Sequence, residues 1–138
     1  MTSVMPDADG TVTANQLVAY NLMRVRKALG LSQEEARERL RPFGLDLSKN
    51  SYSTAETSYR GKRIRQFTGD EIFIMSLAFG VPVAYFLLPP RPEDRPDGAV
   101  LVSGETEVSW HDLAATLGLG EVHPAIMMRL AELPATER

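Results

Sequence analysis

The sequence contains no cysteine, which excludes disulfides and thiolate metal sites. Its two histidines, His111 and His123, are too few for an unaided metal centre. No glycine-rich phosphate loop, no metal-ligand spacing and no pairing of a nucleophile with histidine is present. No apolar run reaches the length of a membrane span. No signal peptide is expected, because Asp7 and Asp9 stand where a basic segment would be. A cytoplasmic, non-enzymatic protein with no cofactor, no metal and no membrane partner is therefore expected. The one acidic pair that invites a catalytic reading, Glu34 and Glu35, lies at a helix start, where acids serve the helix dipole.

The chain has 138 residues and a net charge of −3. Such a length fits one domain, or one domain with a small appendage. The charge is divided unevenly. Residues 24–65 hold 11 Lys/Arg against 5 Asp/Glu, and residues 66–138 hold 4 against 11. A basic half beside an acidic half predicts a polyanion partner for the first only.

The chain is organised around residues 31–56. Ser32 followed by Glu35 is a capping box, and Gly30 ends the helix before it. A short helix to Leu40 is expected. The connection that follows, residues 41–47, contains the breakers Pro42 and Gly44. Ser48 then caps a second short helix, residues 49–57. Spacing puts Tyr52, Ala55 and Glu56 on one side of it and Lys49, Asn50, Ser53 and Thr54 on another. The second set is polar and free of acid. With four Ser and two Thr from position 48 to position 58, this helix has poor intrinsic propensity. A helix that enters the DNA major groove needs such side chains near its N-terminus, because base edges present donors and acceptors there.

This stretch resembles the lambda-repressor-like (XRE-type) helix-turn-helix regulators. The matching residues are Gly30-Leu31-Ser32-Gln33-Glu34-Glu35, then Leu40, Ser48, Tyr52-Ser53 and Glu56, and finally Gly80-Val81-Pro82-Val83-Ala84-Tyr85-Phe86. The match covers about half of the chain, residues 17–88, and rests on order and spacing rather than on any single motif. It departs at residues 41–47, which are longer than the family's turn. The resemblance implies a five-helix domain and a sequence-specific double-stranded-DNA-binding transcriptional regulator, a repressor-type protein acting as a homodimer on the nucleoid. Lys49, Asn50 and Thr54 match base-contacting positions, with Ser51 and Ser53 as phosphate partners. Gln33 matches a position that contacts phosphate and braces the recognition helix. Arg26 matches the partner of Glu56 in a structural ion pair.

The rest of the chain is read around that domain. Residues 1–13 are small, polar and without periodicity, and a disordered arm is expected. The first helix, residues 14–29, carries Val18, Leu22, Val25 and Leu29 as its apolar face, and Arg24, Arg26 and Lys27 near its C-terminus. Arg60, Lys62, Arg63 and Arg65 surround Gly61 in a loop suited to phosphate oxygens. Thr68 with Glu71 is a second capping box. It opens a helix with Ile72, Met75 and Phe79 inward, which Gly80 ends. Pro82 begins a fifth short helix to Leu87, with Tyr85 and Phe86 in the core. The domain thus covers residues 14–88.

Residues 89–98 hold four prolines and read as a semi-rigid linker. Residues 99–138 form a small C-terminal unit. A short β-hairpin turns at Gly104, and two helices carry the stripes Trp110/Leu113/Leu117 and Ile126/Met127/Leu130/Leu133. Forty residues cannot cover these stripes alone. They are expected to form the dimer interface. The fold class is mainly α. Two other functions are carried beside the DNA-binding regulator. One is a protein-interaction module, antitoxin-like or another partner-binding scaffold. The other is a weakly specific architectural DNA-binding protein. The operator and any small-molecule effector are not legible.

Overall fold

The computed structural model describes residues 11–61, 63–94 and 100–118. Among them the chain is mainly helical, with a small three-stranded sheet. The elements are β1 (Thr11–Thr13), α1 (Ala14–Ala28), α2 (Gln33–Leu40), α3 (Lys49–Thr57), α4 (Gly69–Phe79), β2 (Val100–Ser103), β3 (Thr106–Val108) and α5 (Trp110–Thr116). Short 3-10 turns occupy Arg41–Phe43, Val83–Leu87 and Pro92–Asp94.

Local chemistry sets most helix ends. Ser32 Oγ accepts from the Glu35 backbone N–H at 3.0 Å, and the Ser32 N–H donates to Glu35 at 2.9 Å. Thr68 and Glu71 repeat this box at α4. A third box, Thr13 with Gln16, opens α1 and was not foreseen. Ser48 and Ser109 cap α3 and α5 through single hydrogen bonds. The long connection after α2 is ordered by Gly44, whose φ of 96° lies in the left-handed region that residues with a side chain rarely adopt. Leu45 and Leu47 then turn inward against the core.

α1 lies between two hydrophobic clusters. One side carries Val18, Leu22 and Val25, which pack with Ala36 and Leu40 of α2, Tyr52 and Ala55 of α3, Met75 and Phe79 of α4, and Phe86. The other side carries Leu17, Ala19 and Tyr20, which pack with Val12, Tyr59, Leu101 and Leu113. The helix is therefore apolar on two faces, whereas one was expected. Leu29, placed on the apolar stripe by spacing, is the C-cap residue and is exposed.

β1 pairs with β2 in parallel, Val12 opposite Leu101, and β2 pairs with β3 antiparallel, Leu101 opposite Val108. A parallel pair needs a long crossover, and here it comprises α1 to α4 and the segment after them. The hairpin turns at Gly104-Glu105. Gly104 has φ 60° in the first central position, the pattern of a type II′ turn.

Several expectations change. Residues 11–13 are strand β1, with Val12 fully buried, so the arm does not reach position 13. Positions 1–10 lie outside the described residues. The fifth helix is a 3-10 turn, Pro82 stands just before it, and Tyr85 is exposed while Phe86 is buried. Residues 89–94 do not behave as a free linker. Tyr20 Oη donates to Asp94 Oδ2 at 2.6 Å, Tyr59 Oη donates to the Asp94 carbonyl at 2.8 Å, and Asn21 Nδ2 donates to the Leu88 carbonyl at 2.8 Å. Residues 95–98 are not described.

Residues 100–118 are not separate either. Leu113 is buried in the second cluster, with Trp110 and Leu117 packed against it. Leu113 is thus taken up by the chain's own core, while Trp110 and Leu117 stay partly exposed. The strands explain it: once β1 and β2 pair, α5 is carried onto the same face as Leu101. Ile126, Met127, Leu130 and Leu133 lie outside the described residues.

Candidate nucleic-acid interface

The candidate interface is built on α3, and its orientation is set from behind. Tyr52, Ala55 and Glu56 are buried, as their spacing predicts. Glu56 is only 6% exposed and would be an unfavourable buried charge alone. It is matched by a planar fork. Arg26 Nε donates to one Glu56 oxygen at 2.6 Å and Arg26 Nη2 to the other at 2.9 Å. Gln33 Nε2 adds a third hydrogen bond at 3.2 Å. Arg26 Nη1 also donates to the Leu31 carbonyl at 2.9 Å. Hydrogen bonding to Glu56 holds the Arg26 pKa above its ordinary value. α1, the start of α2 and α3 are thereby tied at one point.

Tyr52 completes this brace without a bond of its own. Its hydroxyl is the buried side-chain polar atom that lacks a hydrogen-bond partner among the described residues. Burial, and then the nearby Glu56 carboxylate, push its pKa well above the ordinary phenol value. A second tie runs from α2 to the approach of α3. Arg37 Nε donates to the Leu47 carbonyl at 3.0 Å and Arg37 Nη1 to Glu34 at 2.7 Å. The far end of the lengthened connection is thus tied to α2.

The opposite face of α3 is open. Lys49, Asn50 and Thr54 are exposed, and no hydrogen bond or ion pair engages their side chains among the described residues. Ser51 is exposed too, but its hydroxyl meets Ser48 Oγ at 2.9 Å. Ser53 is half-buried, and its carbonyl accepts from the Thr57 hydroxyl at 3.0 Å. A groove of about 310 Å³ runs beside the helix, with Asn50, Ser51 and Thr54 along it and Arg65 at its edge. Lys49 stands outside that groove.

The basic loop divides. Arg60 and Arg63 are exposed. Lys62 lies outside the described residues. Arg65 is not a free cation: Nη2 and Nη1 donate to Glu71 at 3.0 and 3.2 Å, and its guanidinium lies 4.9 Å above the Phe67 ring. Its hydrogen bonds hold the Glu71 carboxyl below its ordinary range. Arg65 therefore fixes the loop to α4 and has few donors left for a phosphate, contrary to its sequence-based assignment. Gln33 and Arg60 sit together on a second, larger cleft.

Sequence reasoning missed the residues that anchor the segment after Leu88. These are Tyr20, Asn21, Arg24, Tyr59 and Asp94, joined across 35 to 74 positions. Contacts of that separation leave no local periodicity. The one available signal was Asp94 within a proline-rich run. Among the described residues no cluster of His, Asp and Glu is arranged to hold a metal ion, and no helix is long and apolar enough to cross a membrane. Searches of protein-family models, curated proteins and solved structures found no match to this chain.

Proposed function

We propose that this chain is a sequence-specific double-stranded-DNA-binding regulator of the lambda-repressor-like type, a cytoplasmic protein that acts as a homodimer. One observation carries the reading. α3 buries Tyr52, Ala55 and Glu56, is braced by Arg26 and Gln33, and leaves Lys49, Asn50 and Thr54 open. A helix of weak propensity held this firmly, with an unengaged polar face, is suited to insertion in the major groove. Asn50 has the donor and acceptor that match adenine, and Lys49 can donate to guanine. Ser51, Gln33, Arg60, Lys62 and Arg63 would take phosphates and fix register. The surplus of cations in residues 24–65 supplies the long-range attraction.

Leu113 is buried and not available to a homodimer on this reading, and a second exposed apolar pair offers itself. Phe73 and Leu77 are 62% and 64% exposed and stand one turn apart on α4. Sedimentation of the wild type and of Leu77→Asp tests whether pairing occurs there.

Selection of bound duplexes from a random pool tests the function. A preferred site should emerge, bound at least about 10³-fold more tightly than random duplex. Asn50→Ala should weaken that site by about 1–3 kcal/mol and leave random duplex unchanged. Arg60→Ala and Arg63→Ala should weaken both, and each should flatten the log–log salt slope by about 0.9. A steep salt slope with no preferred site would point to an architectural binder. No salt-dependent binding at all would favour the protein-interaction module.

A further inference from the structure

The larger cleft, about 610 Å³, lies where the brace meets the segment after Leu88. That volume is typical of small-molecule sites. Its lining is mixed. Half-buried Met23 supplies apolar surface, and Tyr20 and Tyr59, with ring centroids 4.8 Å apart, close the cleft behind it, both almost fully buried. The charged groups around them are unequal. Glu56 is neutralised by Arg26. Asp94 accepts from Tyr20 and pairs with Arg91 at 3.1 Å. Two cations remain, Lys27 and Arg60. Both are exposed on the cleft, and no described carboxylate lies within salt-bridge distance of either.

A duplex backbone could use Arg60 and Gln33, but it presents no apolar body to Met23. It also has no need of the wall that Arg91 and Asp94 supply. A small molecule with an apolar part and an anionic group fits these features. The apolar part would lie on Met23, and the anion would be drawn to Lys27 and Arg60.

We propose that this cleft binds a small organic anion with an apolar part, such as an aryl carboxylate or aryl sulfonate, and that its occupancy excludes DNA phosphate from Arg60 and Gln33. The second clause rests on the DNA-binding reading; the first does not.

The probe is 8-anilinonaphthalene-1-sulfonate, titrated into the full chain without DNA at neutral pH and followed by fluorescence and calorimetry. One saturable site per chain is expected. Lys27→Gln and Arg60→Gln should each weaken it about fivefold. Arg63→Gln, off the cleft, should leave it unchanged. Met23→Glu should abolish it, and near-ultraviolet circular dichroism of each variant should match the wild type. The uncharged analogue N-phenyl-1-naphthylamine should bind about 10-fold more weakly. Absence of a saturable site, or equal weakening by Arg60→Gln and Arg63→Gln, would overturn the site. Saturating probe should then displace random-sequence duplex. Unchanged duplex binding at saturation would overturn the exclusion and leave the site. A saturable site in a chain that binds no duplex would sustain the cleft and remove the DNA-binding reading.

Discussion

The two sides of α1 are built by different means. The first side is closed by helices that follow one another along the chain. Its members run from Val18 to Phe86, and each joins the core because its own helix turns it inward. The second side is closed by the two ends of the described chain. Val12 meets Leu101 through a parallel strand pair, and Leu113 follows from the hairpin. The first side seats α3. The second holds the C-terminal part on the helix that carries Arg26. A chain of this size can therefore use one helix as a shared wall, stabilised on one face by local elements and on the other by distant ones. Phe67 and Leu87 pack against both clusters, so the sides are joined at their rim.

The strongest way to break the first side is to remove one partner of its buried ion pair. Glu56→Ala leaves the Arg26 guanidinium without a counter-charge, and a loss of about 3–5 kcal/mol is expected. Denaturant unfolding measures it. The Arg26→Ala/Glu56→Ala cycle should give a coupling above about 1 kcal/mol. Additive losses would mean that the bidentate contact does not hold α3.

The second side is probed next by Leu113→Ala. Truncation of a buried leucine costs about 2–4 kcal/mol, with the value set by how far the site collapses. Sedimentation of the variant should match that of the wild type, since Leu113 is buried within the chain's own second cluster. A change in oligomeric state with no loss of stability would return α5 to a subunit interface. Combined with Ala55→Gly on the first side, the losses should add to within about 0.5 kcal/mol if the two faces of α1 are independent.

Acid pH gives a smaller effect that acts on both sides. On the second, the Tyr20 hydroxyl, opposed by burial and helped by Arg91, holds the Asp94 carboxyl below its ordinary 3.8. On the first, Arg65 holds Glu71 below its ordinary 4.5. A lowered carboxyl means that the unfolded chain binds more protons in acid. Each contribution is complete above the ordinary value and is lost as pH falls through the lower, folded-state value. Asp94→Asn should be less stable than the wild type at pH 7 and should lose less on descending from pH 5 to pH 3. A parallel decline of the two proteins over that window would mean that Asp94 is not bonded to Tyr20 in solution.

The smallest effect is expected at Tyr52. Its buried hydroxyl has no partner, so Tyr52→Phe removes a polar group without breaking a hydrogen bond. Stability within about 1 kcal/mol of the wild type, or slightly higher, is expected from thermal unfolding. A larger loss would show that the hydroxyl does bond to Glu56 and belongs to the brace.

By itself, the sequence determined the elements of the first side. Ser32 with Glu35 and Thr68 with Glu71 named two helix starts, and Gly30 and Gly80 named two ends, because caps satisfy orphan backbone groups within three or four residues. The spacing of Tyr52, Ala55 and Glu56 named the inward face of α3, and with it the open face of Lys49, Asn50 and Thr54, because a helix repeats every 3.6 residues. The pairing of Arg26 with Glu56 came from the resemblance and is present at bonding distance. Only the tertiary structure decided the second side. Nothing local in Thr11–Thr13 reports that it will pair with a strand almost ninety residues later, and nothing in Trp110/Leu113/Leu117 says whether its partner is the same chain or another. It also decided that Arg65 is held by Glu71 rather than free, and that Asp94 closes a cleft against Tyr20 and Tyr59. The physical reason is the same in each case. Periodicity and capping are written in neighbouring residues, whereas a partner brought in by chain crossover is chosen by which apolar and charged groups remain uncovered once the local elements have formed.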